Sequence, residues 1–326
     1  MRKAEPQSHA DAGPTPTDAG KPEGGSGGGN DGGGGGDDGG GAEAAPPTRS
    51  VRVVAYLPNY SGSYADWAKS IDFHTMTHLN LAFASANSGN GWDMGASDSD
   101  VGALVGAAHA AGTQVLASLG GGGGDQTVIA QYKNAGNVPA LVDSLDGFVA
   151  AHGFDGVDID IEDPSHLGGD YSTFVDAVVA KLRPEGKLVT AATAQYLQDS
   201  MQDATMNSFD FLNVMVYSSY SDSVSAMTYY TQTKKVDPSK VTLGAGFFGS
   251  DSGGNEYAYR DILAADSSAW SKDQAQVNGN TVNYTGMASM KKLADYSKGY
   301  GGIMFWELSE DVTDSHSLYK VIQGEM

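Results

Sequence analysis

Residues 154–163 read FDGVDIDIED. Four carboxylates, Asp155, Asp158, Asp160 and Glu162, share this run with Phe154, Val157, Ile159 and Ile161, which read as a buried strand. Unpaired charge is costly in such a place, so the acids need a purpose. Successive side chains on a strand point to opposite faces. Asp158, Asp160 and Glu162 therefore share one face, and Val157, Ile159 and Ile161 share the other. Asp155 is out of phase and is expected to serve the strand entrance or its partner loops.

Seven further apolar runs resemble this one. Strands are predicted at 51–57, 77–84, 114–120, 154–161, 187–194, 211–217, 241–248 and 301–306. Amphipathic stretches lie between them at 101–112, 140–153, 171–182, 287–298 and 317–323. Strands alternating with helices predict a parallel sheet covered on both faces, closed as a (β/α)8 TIM barrel. An open doubly wound sheet is the competing fold, and no strand–GxGxxG–helix unit with a following acid supports it. The glycines at 120–124 follow a strand but lack the Lys-Ser/Thr of a phosphate loop. AQVNGNTVNYTG (275–286) reads as a small hairpin between the seventh strand and its helix.

In a barrel the three in-phase acids face the axis and climb toward the C-terminal rim, where barrel active sites are built. Three carboxylates on one face repel, so at least one should have a raised pKa, as a general acid requires. A salt-bridged network is the bland alternative, but the eight strand candidates contribute only Arg52 and Lys187. Mg or Ca would suit three carboxylates, yet no histidine or further acid cluster stands ready to complete a cage, so no metal and no cofactor are expected.

The rest of the composition sets bounds. Residues 1–49 include GGSGGGNDGGGGGDDGGG (24–41) and are expected to form a disordered tether with no apolar surface to bury. About 275 residues from position 50 onward remain for one catalytic barrel. The chain has no cysteine and a formal charge of −21. The first 49 residues carry −4 of it (eight acids against Arg2, Lys3, Lys21 and Arg49), leaving −17 for the remainder. So acidic a domain repels phosphate backbones, which argues against a nucleic-acid partner. No apolar run reaches membrane-spanning length. A secreted or surface-tethered monomer is expected, with an export signal this chain does not carry.

DGVDIDIE resembles the D-x-x-D-x-D-x-E signature of family 18 glycoside hydrolases, the chitinase family. ASLGG (117–121) is similar to the family's S-x-G-G, NVMVY (213–217) to its M-x-Y, GAGFFG (244–249) to its strand-seven segment and GGIMFWELSED (301–311) to its strand-eight ending. The pieces fall on five proposed strands in family order. The resemblance implies a chitinase cutting β-1,4 links between N-acetylglucosamine units of chitin or a related polysaccharide. An endo-β-N-acetylglucosaminidase acting on N-glycan cores and a non-catalytic chitin-binding homologue are the alternatives. It assigns Glu162 as general acid and Asp160 as the group orienting the substrate acetamido. Asp158 would be the inner acid sharing its proton, held by Ser118, and Tyr217 a hydrogen-bond donor to the acetamido carbonyl. Trp306 would be the sugar floor, with Tyr56, Phe83 and Met215 lining the pocket; core packing is the alternative for all four. Gln195 is offered as a sugar contact, and Gly120 and Gly121 as points of close backbone approach. Ser218 departs from the common M-x-Y-D pattern, which bears on substrate detail. No large insertion is read between strands seven and eight, so a shallow, open groove that admits attack within chains is expected.

Overall fold

The computed structural model describes residues 51–197 and 199–326. The tether read at 1–49 lies outside the described residues. Eight strands close a parallel barrel: β1 (Arg52–Pro58), β2 (His78–Ala86), β3 (Gln114–Gly120), β4 (Gly156–Asp160), β5 (Leu188–Ala194), β6 (Leu212–Met215), β7 (Val241–Gly246) and β8 (Gly302–Trp306). Each pairs in parallel with the next, and β1 closes the ring on β8 with Arg52 opposite Gly302 and Ala55 opposite Phe305.

The period-2 pattern of each strand separates two apolar layers. Val157, Ile159 and Ile161 join the large layer between sheet and helices. Val54, Tyr56, Ala82, Phe211 and Met304 fill the barrel lumen instead. The crossover helices carry local stop and start signals. Ser97 caps Asp98–Ala110 by accepting from the Asp100 N–H. Gly153 ends Val138–His152 in the left-handed region (φ 71°), turning the chain straight into β4.

Five helices were not read from the sequence: Tyr64–Ser70, Gln126–Tyr132, Asp203–Ser208, Tyr220–Thr228 and Tyr259–Ala265. They span two turns or so, too short to print a clear apolar period. Tyr220–Thr228 is specified by a capping box between Ser219 and Asp222 rather than by an apolar face.

The hairpin read at 275–286 is present as Gln274–Val277 and Asn280–Tyr284. Its turn is Asn278-Gly279, both at positive φ (51° and 84°), the pair that a tight hairpin favours. It is not an isolated decoration. Phe248–Asp251 and Glu256–Ala258 join it in a four-stranded antiparallel sheet, with helix Tyr259–Ala265 between the two pairs. The expectation of no large insertion between the seventh and eighth barrel strands is therefore corrected. The two added strands have three and four residues, which leaves little pattern to read.

Candidate active site

The in-phase acids form a ladder up the inside of β4, graded in burial and in partners. Asp158 is fully buried. Its Oδ2 accepts from Tyr56 Oη at 2.7 Å and Ser118 Oγ at 3.0 Å, and its Oδ1 from Thr190 Oγ1 at 2.6 Å and Asn213 Nδ2 at 3.1 Å. Burial pushes its carboxyl above the usual range, while these four donors pull it back. Asp160, at 2 % exposure, has no such support: its Oδ1 is buried and has no hydrogen-bond partner. Burial first, then the charges of Glu162, Asp158 and Asp125, holds it well above the usual carboxylate range.

Glu162 stands two residues further, past the end of β4. Tyr196 Oη donates to its Oε2 at 2.9 Å, the Gly122 N–H bonds the same carboxylate, and the Glu162 N–H donates to Asp125 Oδ2 at 3.2 Å. Burial raises its pKa, as do Asp125 and Glu256, against the lowering bonds from Tyr196 and Gly122. Three carboxyls on one face are thus all shifted toward the protonated form, each by its own balance of causes.

Aromatic rings floor the mouth above the ladder. Trp306, at the end of β8, stacks on Phe83 (centroids 5.5 Å, planes 19° apart) and tilts over Tyr56 at 5.7 Å. Both Trp306 and Phe83 keep part of their surface open. The peptide bonds Ala82–Phe83 and Trp306–Glu307 are cis. Gly121 is required by this floor, because a Cβ there would lie 2.3 Å from the Phe83 ring. Gly120, at φ 105°, passes so near β4 that a Cβ would meet the Asp160 carbonyl oxygen at 2.4 Å. Tyr217 lies two residues past β6, half-buried, with Phe248 edge-on at 5.5 Å. Burial and the neighbouring charges of Asp160 and Glu162 raise its phenol. Met215, like Tyr217 and Trp306, packs against the lumen cluster.

Asp158, Asp160, Glu162, Tyr217, Trp306, Phe83, Met215, Ser118, Gly120, Gly121 and Tyr56 are therefore brought together, with one change of position. Tyr56, read as a pocket residue, is only 1 % exposed and spends its hydroxyl on Asp158 beneath the floor. Asp155 falls elsewhere, and Ser218 and Gln195 lie exposed beside Tyr217 and Tyr196. Asp155 precedes β4 at the opposite end of the barrel, accepting from the Val115 N–H at 2.7 Å and meeting His109 Nε2 at 2.8 Å. It serves the strand entrance and takes no part in the site. Ser218 is exposed and bonds Asp222 in the cap of the following helix. Gln195 is exposed and begins the short turn that carries Tyr196.

Sequence reasoning missed Tyr196, Asp125, Thr190 and Asn213. Thr190 and Asn213 carried a readable signal, since both are polar residues in phase with the inward face of apolar strands. Asp125 and Tyr196 lie in loops whose placement only the fold determines. A cavity of about 780 Å³ opens at the other mouth of the barrel, lined by Arg52, His74, His78, Gln114, Asp210 and Phe211 among others. It contains none of the signature acids.

The linkage of Asp160 gives a test of its environment. Folding raises its pKa, so the stability it contributes is fully present below its unfolded value, about 3.9, and is lost as pH rises through the folded value. Asp160→Asn is expected to unfold at a higher temperature than the parent at pH 8, with a gain of about 1–3 kcal/mol, and to lose most of that gain at pH 4. A gain equal at both pH values in thermal unfolding would contradict the charge origin.

Residues 52–311 match the family described as glycosyl hydrolases family 18. Among solved structures, the chitinase ChiB from Flavobacterium johnsoniae is 26 % identical with a TM-score of 0.75, the match covering 84 % of this chain and 93 % of that one. Catalytic domain 2 of the Group II chitinase from Ostrinia furnacalis, solved as a mutant in complex with penta-N-acetylchitooctaose, is 16 % identical with a TM-score of 0.69, covering 85 % and 96 %. A chitinase-like agglutinin from Robinia pseudoacacia is 20 % identical with a TM-score of 0.69, covering 83 % and 98 %. The latter two likenesses concern the fold alone. No curated protein matches the chain.

Proposed function

The chain belongs to family 18 of the glycosyl hydrolases, and from that premise we propose that it is a chitinase, hydrolysing β-1,4 links between N-acetylglucosamine units with the substrate's own acetamido group as nucleophile. One observation carries the reading. Asp160 presents a buried carboxyl oxygen with no protein partner, on the strand face that leads to Glu162 and close enough for its charge to act on Tyr217. Buried polar atoms are nearly always bonded, so an orphan at a cleft calls for a ligand group to complete it. An acetamido N–H is such a donor.

The steps follow from the ladder. Glu162 gives its proton to the glycosidic oxygen as the bond to the anomeric carbon breaks. The acetamido carbonyl oxygen attacks that carbon and closes an oxazolinium ring. Asp160 receives the N–H and steadies its positive charge, while Tyr217 donates to the former carbonyl oxygen. Glu162, now a carboxylate, takes a proton from water as it opens the ring. Asp158, bonded by four donors, fixes the protonation balance of Asp160 from below. Family 18 enzymes are an exception to the two-carboxylate scheme of most retaining glycosidases. The position of Asp160 beside the acid, on the same strand face, fits that exception.

Cleavage within chains is part of the proposal. Tyr60, 71 % exposed, follows β1, and Tyr196, 49 % exposed, follows β5. These strands are opposite one another in an eight-stranded ring, so exposed aromatic surface follows strands on both sides of the mouth. A neutral polymer fits the acidic domain, and export of the protein, secreted or tethered to the cell surface, fits a substrate too large to enter cells. A product assay on chito-oligosaccharides beside a high-mannose glycopeptide tests the substrate class. Release of short N-acetylglucosamine oligomers supports it, and cleavage of the glycopeptide alone would replace it with an endo-β-N-acetylglucosaminidase.

No metal enters this scheme. Both oxygens of Asp158 already accept two protein donors each. EDTA is therefore expected to leave the initial rate unchanged. A rate lost to EDTA and restored by Mg or Ca would contradict the scheme.

A further inference from the structure

Glu162 is held from two sides. Gly122 lies against Oε1 and its N–H bonds the carboxylate, while Tyr196 donates to Oε2 at 2.9 Å. A backbone N–H is a donor only and cannot turn away, so a proton on Glu162 belongs on Oε2, the oxygen that Tyr196 occupies. A phenol donating to Oε2 favours the ionised carboxylate. The hydroxyl thus stands on the oxygen that must deliver the proton, and works against the burial that raises the Glu162 pKa. Tyr196 is also the partner able to move: it lies in the short turn Gln195–Leu197 beyond β5 and exposes half its surface, whereas Tyr56 is sealed in the barrel.

We propose that Tyr196 is a latch on the acid, its hydroxyl occupying Glu162 Oε2 in the free enzyme and displaced from it by sugar entering the leaving-group side of the mouth. This rests on Glu162 being the general acid. Once displaced, the Tyr196 ring offers a face to that sugar, and Oε2 takes up the proton it delivers to the glycosidic oxygen. Tyr196 acts through Glu162 and is a positioning residue. The other groups facing Glu162 are Asp160 on its own strand segment, Asp125 from the loop after β3, Glu256 from the small sheet and Tyr217 after β6. All of them stay in place in Tyr196→Phe, which removes the hydroxyl and keeps the ring.

Two readouts decide it. The first is the titration of the Glu162 carboxyl by ¹³C NMR in the ligand-free protein, assigned with Glu162→Gln. Its midpoint is expected to move up in Tyr196→Phe, because the donor to the charged form is gone; an unchanged or lower midpoint overturns the latch. The second is the pH dependence of chito-oligosaccharide cleavage, in which kcat/KM reports the free enzyme and kcat the complex. The alkaline limb of kcat/KM is expected to move up in Tyr196→Phe while that of kcat stays where it is. If both limbs move together, the hydroxyl remains on Glu162 in the complex and displacement is wrong. A uniform loss of rate with no limb shift, as a structural role would give, also overturns the proposal. The NMR titration requires no activity, so it still decides whether Tyr196 holds the carboxylate if the parent protein cleaves nothing and the chitinase reading fails.

Discussion

Glu162→Gln is expected to lower kcat on chito-oligosaccharides by about 10²–10⁴-fold, the usual contribution of a positioned acid–base group, with little change in KM. Glutamine keeps the shape, its carbonyl oxygen accepting on the Gly122 side while its NH2 donates to the Tyr196 hydroxyl, so the protein should fold and retain its melting temperature within a few degrees. What it removes is the proton for the leaving group and the base for the water. The Trp306–Phe83 floor is untouched, and oligosaccharide binding, measured by calorimetry, should persist. Loss of rate without loss of binding identifies a group acting in the transition state. A variant that cleaves at the parent rate would remove Glu162 from the mechanism. One that binds no sugar would show the carboxylate to be a docking contact instead.

Fully deacetylated chitosan is expected to survive under conditions that degrade chitin oligomers completely. An amine in place of the acetamido removes the internal nucleophile. Well-oriented intramolecular groups act with effective molarities of about 10⁵–10⁸ M, so its loss should reduce cleavage to background. The acidic mouth would, if anything, attract the cationic polymer, which makes the expectation a sharp one: binding should be retained and cleavage lost. Partially acetylated chains should be cut only with an acetylated unit on the newly formed reducing end, as mass spectrometry of the products would show. Cutting of the deacetylated polymer at the rate of chitin would mean that a protein carboxylate or water, and not the acetamido group, is the nucleophile.

The barrel was legible because its strands are short apolar runs in the right number and spacing, and because the phase of 158, 160 and 162 says which face the acids take. That phase does not give depth. Tyr56 was read as lining the pocket, yet the register of β1 on its neighbours sets it below the floor, where its hydroxyl reaches Asp158. Ser118 was placed on Asp158 by resemblance, and the 3.0 Å bond agrees. Thr190 and Asn213 could have been found by extending the same period-2 argument to β5 and β6. Tyr196 and Asp125 could not, since each approaches Glu162 from a loop and no local pattern marks a residue that becomes a neighbour only when the barrel closes. The small sheet shows the same limit from another side. Its Asn-Gly turn announced the hairpin, while Phe248–Asp251 and Glu256–Ala258 are brief, partly polar and defined by the partners they pair with. Ser218, which takes the place of the Asp in the M-x-Y-D pattern, and Gln195, just past β5, are both exposed.

The central claim is that the substrate's acetamido group, and no protein carboxylate or direct attack by water, displaces the leaving group. It is tested most directly by ¹H NMR of the first product released from a chito-oligosaccharide, read before mutarotation. Two displacements at the anomeric carbon retain configuration, so the new reducing end is expected as the β-anomer. An initial α-anomer would mean a single displacement by water and would contradict the account.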